Sequence, residues 1–214
     1  MKKNTLTLIK KIQLTHDVYE LTYTSNEPIE IQPGQFLLCD CEADNPKYKR
    51  SYSVSYADKN MVQLVIKRLE NGTGGSIAIC NQEIGHQMST MGPMGHFVLQ
   101  NNQLPKVFIG TGTGFAPLYF QILEQTKRPV PMYFIFGVRN EQDIFYTSIL
   151  DKLTHDRLDF SYQICLSQPR QTDKNIYHGY VTQKLREDFA SLSESEFYIC
   201  GSPSMVSDVR EYLE

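Results

Sequence analysis

The sequence has no tryptophan, and its five cysteines are odd in number and include no Cys-x-x-Cys pair. That spacing argues against a disulfide framework and against an iron–sulfur or zinc centre. The five histidines (His16, His86, His96, His155, His178) show no metal-ligand spacing either, and no metal is expected. No stretch approaches the roughly 18 apolar residues of a membrane helix. Met1 to Leu8 alternates polar with apolar residues and does not build the apolar core of a signal peptide. A basic surplus is missing too: 21 Lys and Arg stand against 24 Asp and Glu, a formal charge of −3. That balance speaks against a protein that grips nucleic-acid phosphates. Gly-x-Ser-x-Gly, His-Glu-x-x-His and paired-carboxylate helices are absent, so hydrolase chemistry lacks its parts. These exclusions lead to an expected cytoplasmic protein with reduced thiols and no membrane span.

What remains is 214 residues with 41% hydrophobic and 21% charged content, an ordinary folded composition of one large domain or two small ones. The chain has two textures. Up to about Asn101, short alternating or β-branched runs (Thr5 to Leu14, Val18 to Thr24, Gln35 to Cys41, Arg50 to Tyr56, Val62 to Arg68) are separated by turn formers such as Gln32-Pro-Gly34 and Asn45-Pro46. That pattern predicts an antiparallel β-barrel or sandwich, interrupted by a short helix at Ser76 to Asn81. After Leu104-Pro105, apolar strands alternate with helices. The strands are Val107 to Ile109, Met132 to Val138, Phe160 to Leu166 and Phe197 to Cys200. The helices are Phe115 to Lys127, Asp143 to Leu153, Val181 to Phe189 and Pro203 to Leu213. Strand–helix units in series predict a doubly wound parallel sheet covered on both faces. Two domains are expected, 1–101 and 102–214.

The strongest local signal is Gly110-Thr111-Gly112-Thr113-Gly114-Phe115-Ala116-Pro117, between a strand and a helix. Its glycines let the backbone approach a ligand, and the helix that follows presents unpaired N–H groups to an anion. A tight turn would serve as well structurally, but three glycines exceed what a turn needs. Phe115 stands where the dinucleotide fingerprint has its third glycine. Arg50-Ser51-Tyr52-Ser53 on a strand places a cation and a flat ring on one face, suited to a phosphate and a conjugated ring. Taken alone, the tetrapeptide reads more simply as an edge arginine beside a half-buried tyrosine. Val65-Ile66-Lys67 leads to Gly74-Gly75-Ser76 at a helix start, which fits an anion site and a serine-capped turn equally. Cys200-Gly201-Ser202-Pro203 ends the last strand, at the sheet edge where ligands of open parallel sheets bind. A small buried cysteine before a turn is the plainer alternative. Lys47, Lys49 and Arg50 read as a solvated basic cluster, and Cys39 and Cys41 share one face of a barrel wall strand.

In their order and spacing these segments resemble the ferredoxin–NADP⁺ reductase family over nearly the whole chain, joined by Gly92-Pro93-Met94-Gly95-His96-Phe97, Phe136-Gly137-Val138-Arg139 and Asp143-Ile144-Phe145-Tyr146. The resemblance implies a flavin-binding barrel followed by a nicotinamide-nucleotide domain. It implies FAD, with FMN as the lesser alternative, and NADH or NADPH as hydride donor. Tyr52 would stack on the isoalloxazine, Arg50 would pair with a flavin phosphate, and Ser53, beside Ser51, would sit near N5. Gly74, Gly75 and Ser76 would bind the flavin pyrophosphate, and Val65, Ile66 and Lys67 would line the ribityl chain. Gly110 to Gly114 would take the nicotinamide nucleotide's pyrophosphate, with Pro117, Arg139, Gly201 and Pro203 around it. Cys200 would orient the nicotinamide over N5, which makes Ser53 and Cys200 the expected catalytic pair.

Two departures carry expectations of their own. Members of that family usually continue into a further strand whose terminal aromatic covers the flavin, whereas this chain stops at Glu214. The flavin face is then open or covered from outside the chain. NADPH-dependent relatives often carry Ser-Arg after the third strand of the sheet, where this chain has Ser167-Gln168-Pro169-Arg170, which leans towards NADH. The implied function is a reductase passing electrons from NAD(P)H through FAD to a ferredoxin, flavodoxin or oxygenase component. The alternatives are a reductase of diffusible flavin and an electron-transfer subunit of a larger complex.

Overall fold

The computed structural model describes residues 2–41, 48–171, 173–192 and 194–214, with the backbone alone at Tyr48. The expected turn at Asn45-Pro46 and the cluster member Lys47 lie outside these residues. The chain forms two compact units: residues up to Leu99 with Tyr119–Gln121, and Gln100–Leu118 with Ile122–Glu214.

The first unit is a closed antiparallel barrel. Its strands are β1 (Lys3–Gln13), β2 (Val18–Ser25), β3 (Phe36–Cys41), β4 (Tyr48–Asp58), β5 (Met61–Lys67) and β6 (Gln87–Met94), in the order β1-β2-β5-β4-β3-β6. Alternation decides which side chains enter the barrel. In β3, Leu37, Cys39 and Cys41 are fully buried while Phe36, Leu38 and Asp40 are only partly so. Both thiols therefore face the core, where they join Leu6, Leu8, Leu21 and Leu64. The helix α1 (Gly75–Cys80) adds Ile79 and Cys80 to the same core. The strand β6, which the sequence pattern did not predict, closes the barrel between β1 and β3. Thr90 occupies an inward position there, and Gly92-Pro93 breaks the alternation, so the period-two signal fails just where the strand runs.

The second unit carries five parallel strands in the order β10-β9-β8-β7-β11. These are β7 (Lys106–Thr111), β8 (Met132–Val138), β9 (Phe160–Leu166), β10 (Ile176–His178) and β11 (Glu196–Cys200). The helices α2 (Phe115–Gln125), α3 (Thr147–Asp156), α4 (Val181–Leu192) and α5 (Pro203–Leu213) connect or follow them. Val107, Ile109, Ile135 and Cys165 pack under Val181 and Leu185 of α4 and Met205 and Val209 of α5. On the other face, Phe115 of α2 meets Phe134 and Phe136 at 5.6 and 5.1 Å between ring centroids. Both faces are thus covered, as a parallel sheet requires. The three-residue edge strand β10 escaped the sequence pattern because it is too short to show a period. The helix expected over Asp143 to Leu153 is instead a 3-10 turn at Glu141–Asp143 and then α3 from Thr147. Tyr146 separates them with φ +62°, a left-handed conformation that stops one helix before the next begins.

Candidate functional site

Each unit presents one strand-to-helix segment in which glycine backbone meets a polar side chain. On the barrel, Arg50 and Tyr52 of β4 lie opposite Cys39 and Leu37 of β3, so both stand on one face of the strand. Ser51 and Ser53 fall on the other. The Arg50 guanidinium donates to Thr73 Oγ1 at 2.9 Å and to the Lys49 carbonyl at 2.9 Å. Thr73 directly precedes Gly74, the left-handed residue (φ 92°) that starts α1 with no side-chain cap. A strand arginine is thereby held beside the first turn of a helix, and a sequence reading had no means of pairing it with Thr73. Ser76 does not cap the helix, contrary to the serine-cap alternative. Its Oγ accepts the Leu69 N–H at 3.0 Å, which ties down the loop before α1 and leaves the hydroxyl proton to donate.

Tyr52 is half-buried against the barrel core. Burial pushes its hydroxyl well above the ordinary phenol value, and the neighbouring Cys41, Cys39 and Cys80 thiols add to that, so it stays neutral. Val65 and Ile66 are 5% and 2% exposed, which places their side chains inside and leaves only their backbone for a ligand. The Lys67 ammonium is paired with Asp17 at 2.8 Å.

On the sheet, Gly110-Thr111 ends β7, and the following Gly112–Gly114 is a 3-10 turn that runs directly into α2. The glycines are therefore the first turn of the helix itself, with Thr113 among them and Pro117 in the first turn of α2. In a 3-10 turn the Gly114 N–H reaches back to the Thr111 carbonyl, so it is the N–H groups of Gly112 and Thr113 that have no carbonyl one turn earlier to bond. Gly112 has φ +53°, and a Cβ there would meet nothing within 4 Å, so it is the backbone conformation and not crowding that asks for glycine. Gly114 has a different reason to be glycine: a Cβ would stand 2.3 Å from the Cys200 carbonyl oxygen. Cys200 is paired in register with Gly110, so the ends of β7 and β11 meet here. Thr111 Oγ1 accepts the Ser202 N–H at 3.0 Å. Ser202 caps α5 by accepting the Met205 N–H at 3.4 Å, with Pro203 in the first helical turn. Gly201 packs against Thr111, where an added Cβ would lie 2.1 Å from Oγ1.

Phe115 fills the third-glycine place for a visible reason. It is fully buried among Phe134, Phe136, Phe145 and Tyr146, all 5.1 to 5.6 Å away between centroids. Close helix–strand approach is replaced here by an aromatic cluster. Burial pushes the half-buried Cys200 thiol above its ordinary value, so it is a protonated thiol and a poor nucleophile at neutral pH. Arg139 is exposed on the loop after β8.

Two matches account for both halves. The family model for the oxidoreductase FAD-binding domain fits residues 5–99, and that for the oxidoreductase NAD-binding domain fits residues 108–211. The chain belongs to the ferredoxin reductase-like flavoprotein family. Its barrel is the FAD-binding domain and its parallel sheet the NAD-binding domain. The chain is similar to the propane 2-monooxygenase reductase component of Rhodococcus jostii, 29% identical over 212 residues that make up 94% of this chain and 57% of that one. It is also similar to the toluate 1,2-dioxygenase electron transfer component of Pseudomonas putida, at 29% over 185 residues, 85% of this chain and 54% of that one. Its fold matches the Amycolatopsis cytochrome P450 reductase GcoB with a TM-score of 0.90 at 22% identity, covering 99% of this chain and 65% of that one. The chain thus spans a little over half the length of the curated relatives it matches. Among the described residues, no helix is long and apolar enough to cross a membrane.

Proposed function

We propose that the protein is a reductase that takes hydride from NAD(P)H into FAD and passes the electrons on to a ferredoxin, flavodoxin or oxygenase component. The observation that carries this reading is the pair of anion-adapted segments, one on each family domain: Arg50 beside Thr73 and α1, and the uncapped glycine turn at Gly112–Gly114 that leads into α2. Relatives named as a reductase component and an electron transfer component support the direction of electron flow. FAD, when bound, supplies both the hydride-accepting and the one-electron chemistry.

The residues fit both groups. Arg50 offers a fixed cation to a flavin phosphate, and Gly74, Gly75 and Ser76 offer backbone donors and a hydroxyl proton. Tyr52 presents a neutral ring for stacking, Ser51 and Ser53 on the other face of β4 offer their backbone, and Val65, Ile66 and Lys67 contribute the main chain of β5. Gly110, Thr111, Gly112, Thr113 and Gly114 hold the nicotinamide nucleotide's pyrophosphate, while Pro117 fixes the helix start and Arg139 adds a cation. Cys200, backed by Gly201 and Pro203, acts as a neutral contact for the nicotinamide ring and not as a nucleophile. Ser53, whose side chain lies on the face opposite Tyr52, would donate its backbone N–H to the reacting edge of a bound flavin. The same reading places the protein in the cytoplasm, where its five unpaired cysteines stay reduced.

The test is the visible spectrum of the purified protein, before and after anaerobic NADH and then NADPH. A yellow protein bleached by a nicotinamide nucleotide is the expected result. A protein that binds no added FAD and oxidises neither nucleotide would overturn the proposal.

A further inference from the structure

The loop after β9 contains an anion site that the protein fills with its own carboxylate. Glu141 Oε1, in the 3-10 turn after β8, accepts the backbone N–H groups of Arg170 at 2.8 Å and Gln171 at 2.9 Å. Two successive amides converging on one oxygen form the concave backbone donor arrangement that elsewhere receives phosphate. Further bonds bring the two loops together: Ser167 N–H to the Val138 carbonyl at 3.2 Å and Gln168 N–H to the Arg139 carbonyl at 2.7 Å. The turn carrying Glu141 is itself fixed. Asn140 Oδ1 accepts the Gln142 N–H at 3.0 Å, and Asp143 Oδ2 accepts the Asn140 N–H at 3.2 Å. The Glu141 carboxyl lies below its ordinary value, held there first by its own backbone N–H and then by those of Gln171 and Arg170, with the Arg170 charge adding to them. It is an anion at neutral pH, and it sits under the influence of the one guanidinium this loop offers.

We infer that Glu141 is a specificity-determining residue that makes this chain select NADH over NADPH by occupying the anion site a 2′-phosphate would need. The inference rests on the proposed nucleotide site. With the pyrophosphate at the end of β7 and the nicotinamide towards β11, the adenosine half extends over the ends of β8 and β9, the strands next in the sheet. A 2′-phosphate arriving there meets a carboxylate and finds both loop amides already donating to it. A free ribose hydroxyl suffers none of these penalties and can donate to a carboxylate. The sequence shows only that Arg170 stands three residues after Ser167. That its backbone N–H is taken up by a carboxylate from a different loop, 29 residues earlier, is visible only in the fold.

The experiment measures binding of adenosine 5′-diphosphate and adenosine 2′,5′-bisphosphate to the intact protein by calorimetry, for the native chain, Glu141→Gln and Arg170→Ala. Neither ligand reacts, so the readout is independent of turnover. The native protein should favour the 5′-diphosphate. Glu141→Gln should shift the ratio towards the 2′-phosphorylated ligand by about five- to tenfold, the effect of removing one charge at close range in a largely solvated setting. Arg170→Ala should leave the ratio at or below the native value. A general loosening of the loop would weaken both ligands together and would not move the ratio. An unchanged ratio in Glu141→Gln, with both ligands still binding, overturns the specificity role alone. Failure of the native protein to bind either ligand overturns the nucleotide site, and this inference with it.

Discussion

The parallel sheet is finished differently at its two ends. At the amino end, the Lys106 side chain is fully buried, and its ammonium donates to Glu196 Oε2 and Asn102 Oδ1, both at 2.5 Å. Asn102 also donates to Glu196 Oε1, Tyr198 donates to Glu196 Oε2 at 2.9 Å, and Tyr198 accepts the Gln100 N–H at 2.8 Å. Side chains saturate one another there, and the network locks β11 onto β7 and onto the segment that enters the sheet. At the carboxyl end of the same two strands, side chains are withdrawn. Glycines, one threonine hydroxyl and a cysteine carbonyl make the contacts, and the amides of Gly112 and Thr113 begin the helix with no carbonyl one turn earlier. A buried ion pair is costly to break and holds register, whereas a helix start without side chains is suited to receive an anion. On the proposed function, the two ends divide stability from binding.

Four changes test that division, from the largest effect down. Lys106→Met should cost about 3–5 kcal/mol, because Glu196 and Asn102 lose their buried cation. Equilibrium unfolding in urea measures it, and the flavin absorbance of the barrel should persist under native conditions. Gly114→Ala should cost about 1–3 kcal/mol, since its Cβ must push the Cys200 carbonyl away from α2. Here binding and stability should fall together, because the close approach of β11 shapes both. Gly112→Ala should cost only about 1–2 kcal/mol for the left-handed backbone, with no clash, as nothing lies within 4 Å. Its effect on nucleotide binding should exceed its effect on the melting temperature. The smallest change is with pH. Burial pushes the Glu196 carboxyl up, but hydrogen bonds from Lys106, Asn102 and Tyr198 outweigh it and hold the group below its ordinary 4.5. Its contribution is therefore complete above that value and is lost as pH falls through the lowered one. A urea midpoint that starts to drop only in acid, and drops less in Lys106→Met, is the expected signature.

The barrel-then-sheet order was legible because each half keeps its own hydrophobic period, as in Leu37-Cys39-Cys41 against Val107-Phe108-Ile109. The strand β6 was not, since Thr90 sits inward and Gly92-Pro93 interrupts the alternation. The glycine run at 110–114 announced a special backbone, yet its two reasons could not be told apart without the fold: Gly112 takes a left-handed backbone and Gly114 avoids a clash. Contacts distant in sequence were invisible throughout. Arg50 with Thr73, Lys106 with Glu196 and Glu141 with Arg170 join residues whose nearness depends on strand order, which no local pattern encodes. The partner of the Lys67 ammonium, Asp17, was equally hidden, because β2 and β5 become neighbours only in the barrel.

The most direct measurement is the visible spectrum of Gly112→Ala and Arg50→Ala beside the native protein, each titrated anaerobically with NADH. If the two segments bind two different groups, Gly112→Ala keeps its flavin colour but bleaches only at much higher NADH, while Arg50→Ala loses its flavin on purification. A Gly112→Ala protein that bleaches like the native one, or an Arg50→Ala protein that holds its flavin unchanged, would contradict that assignment.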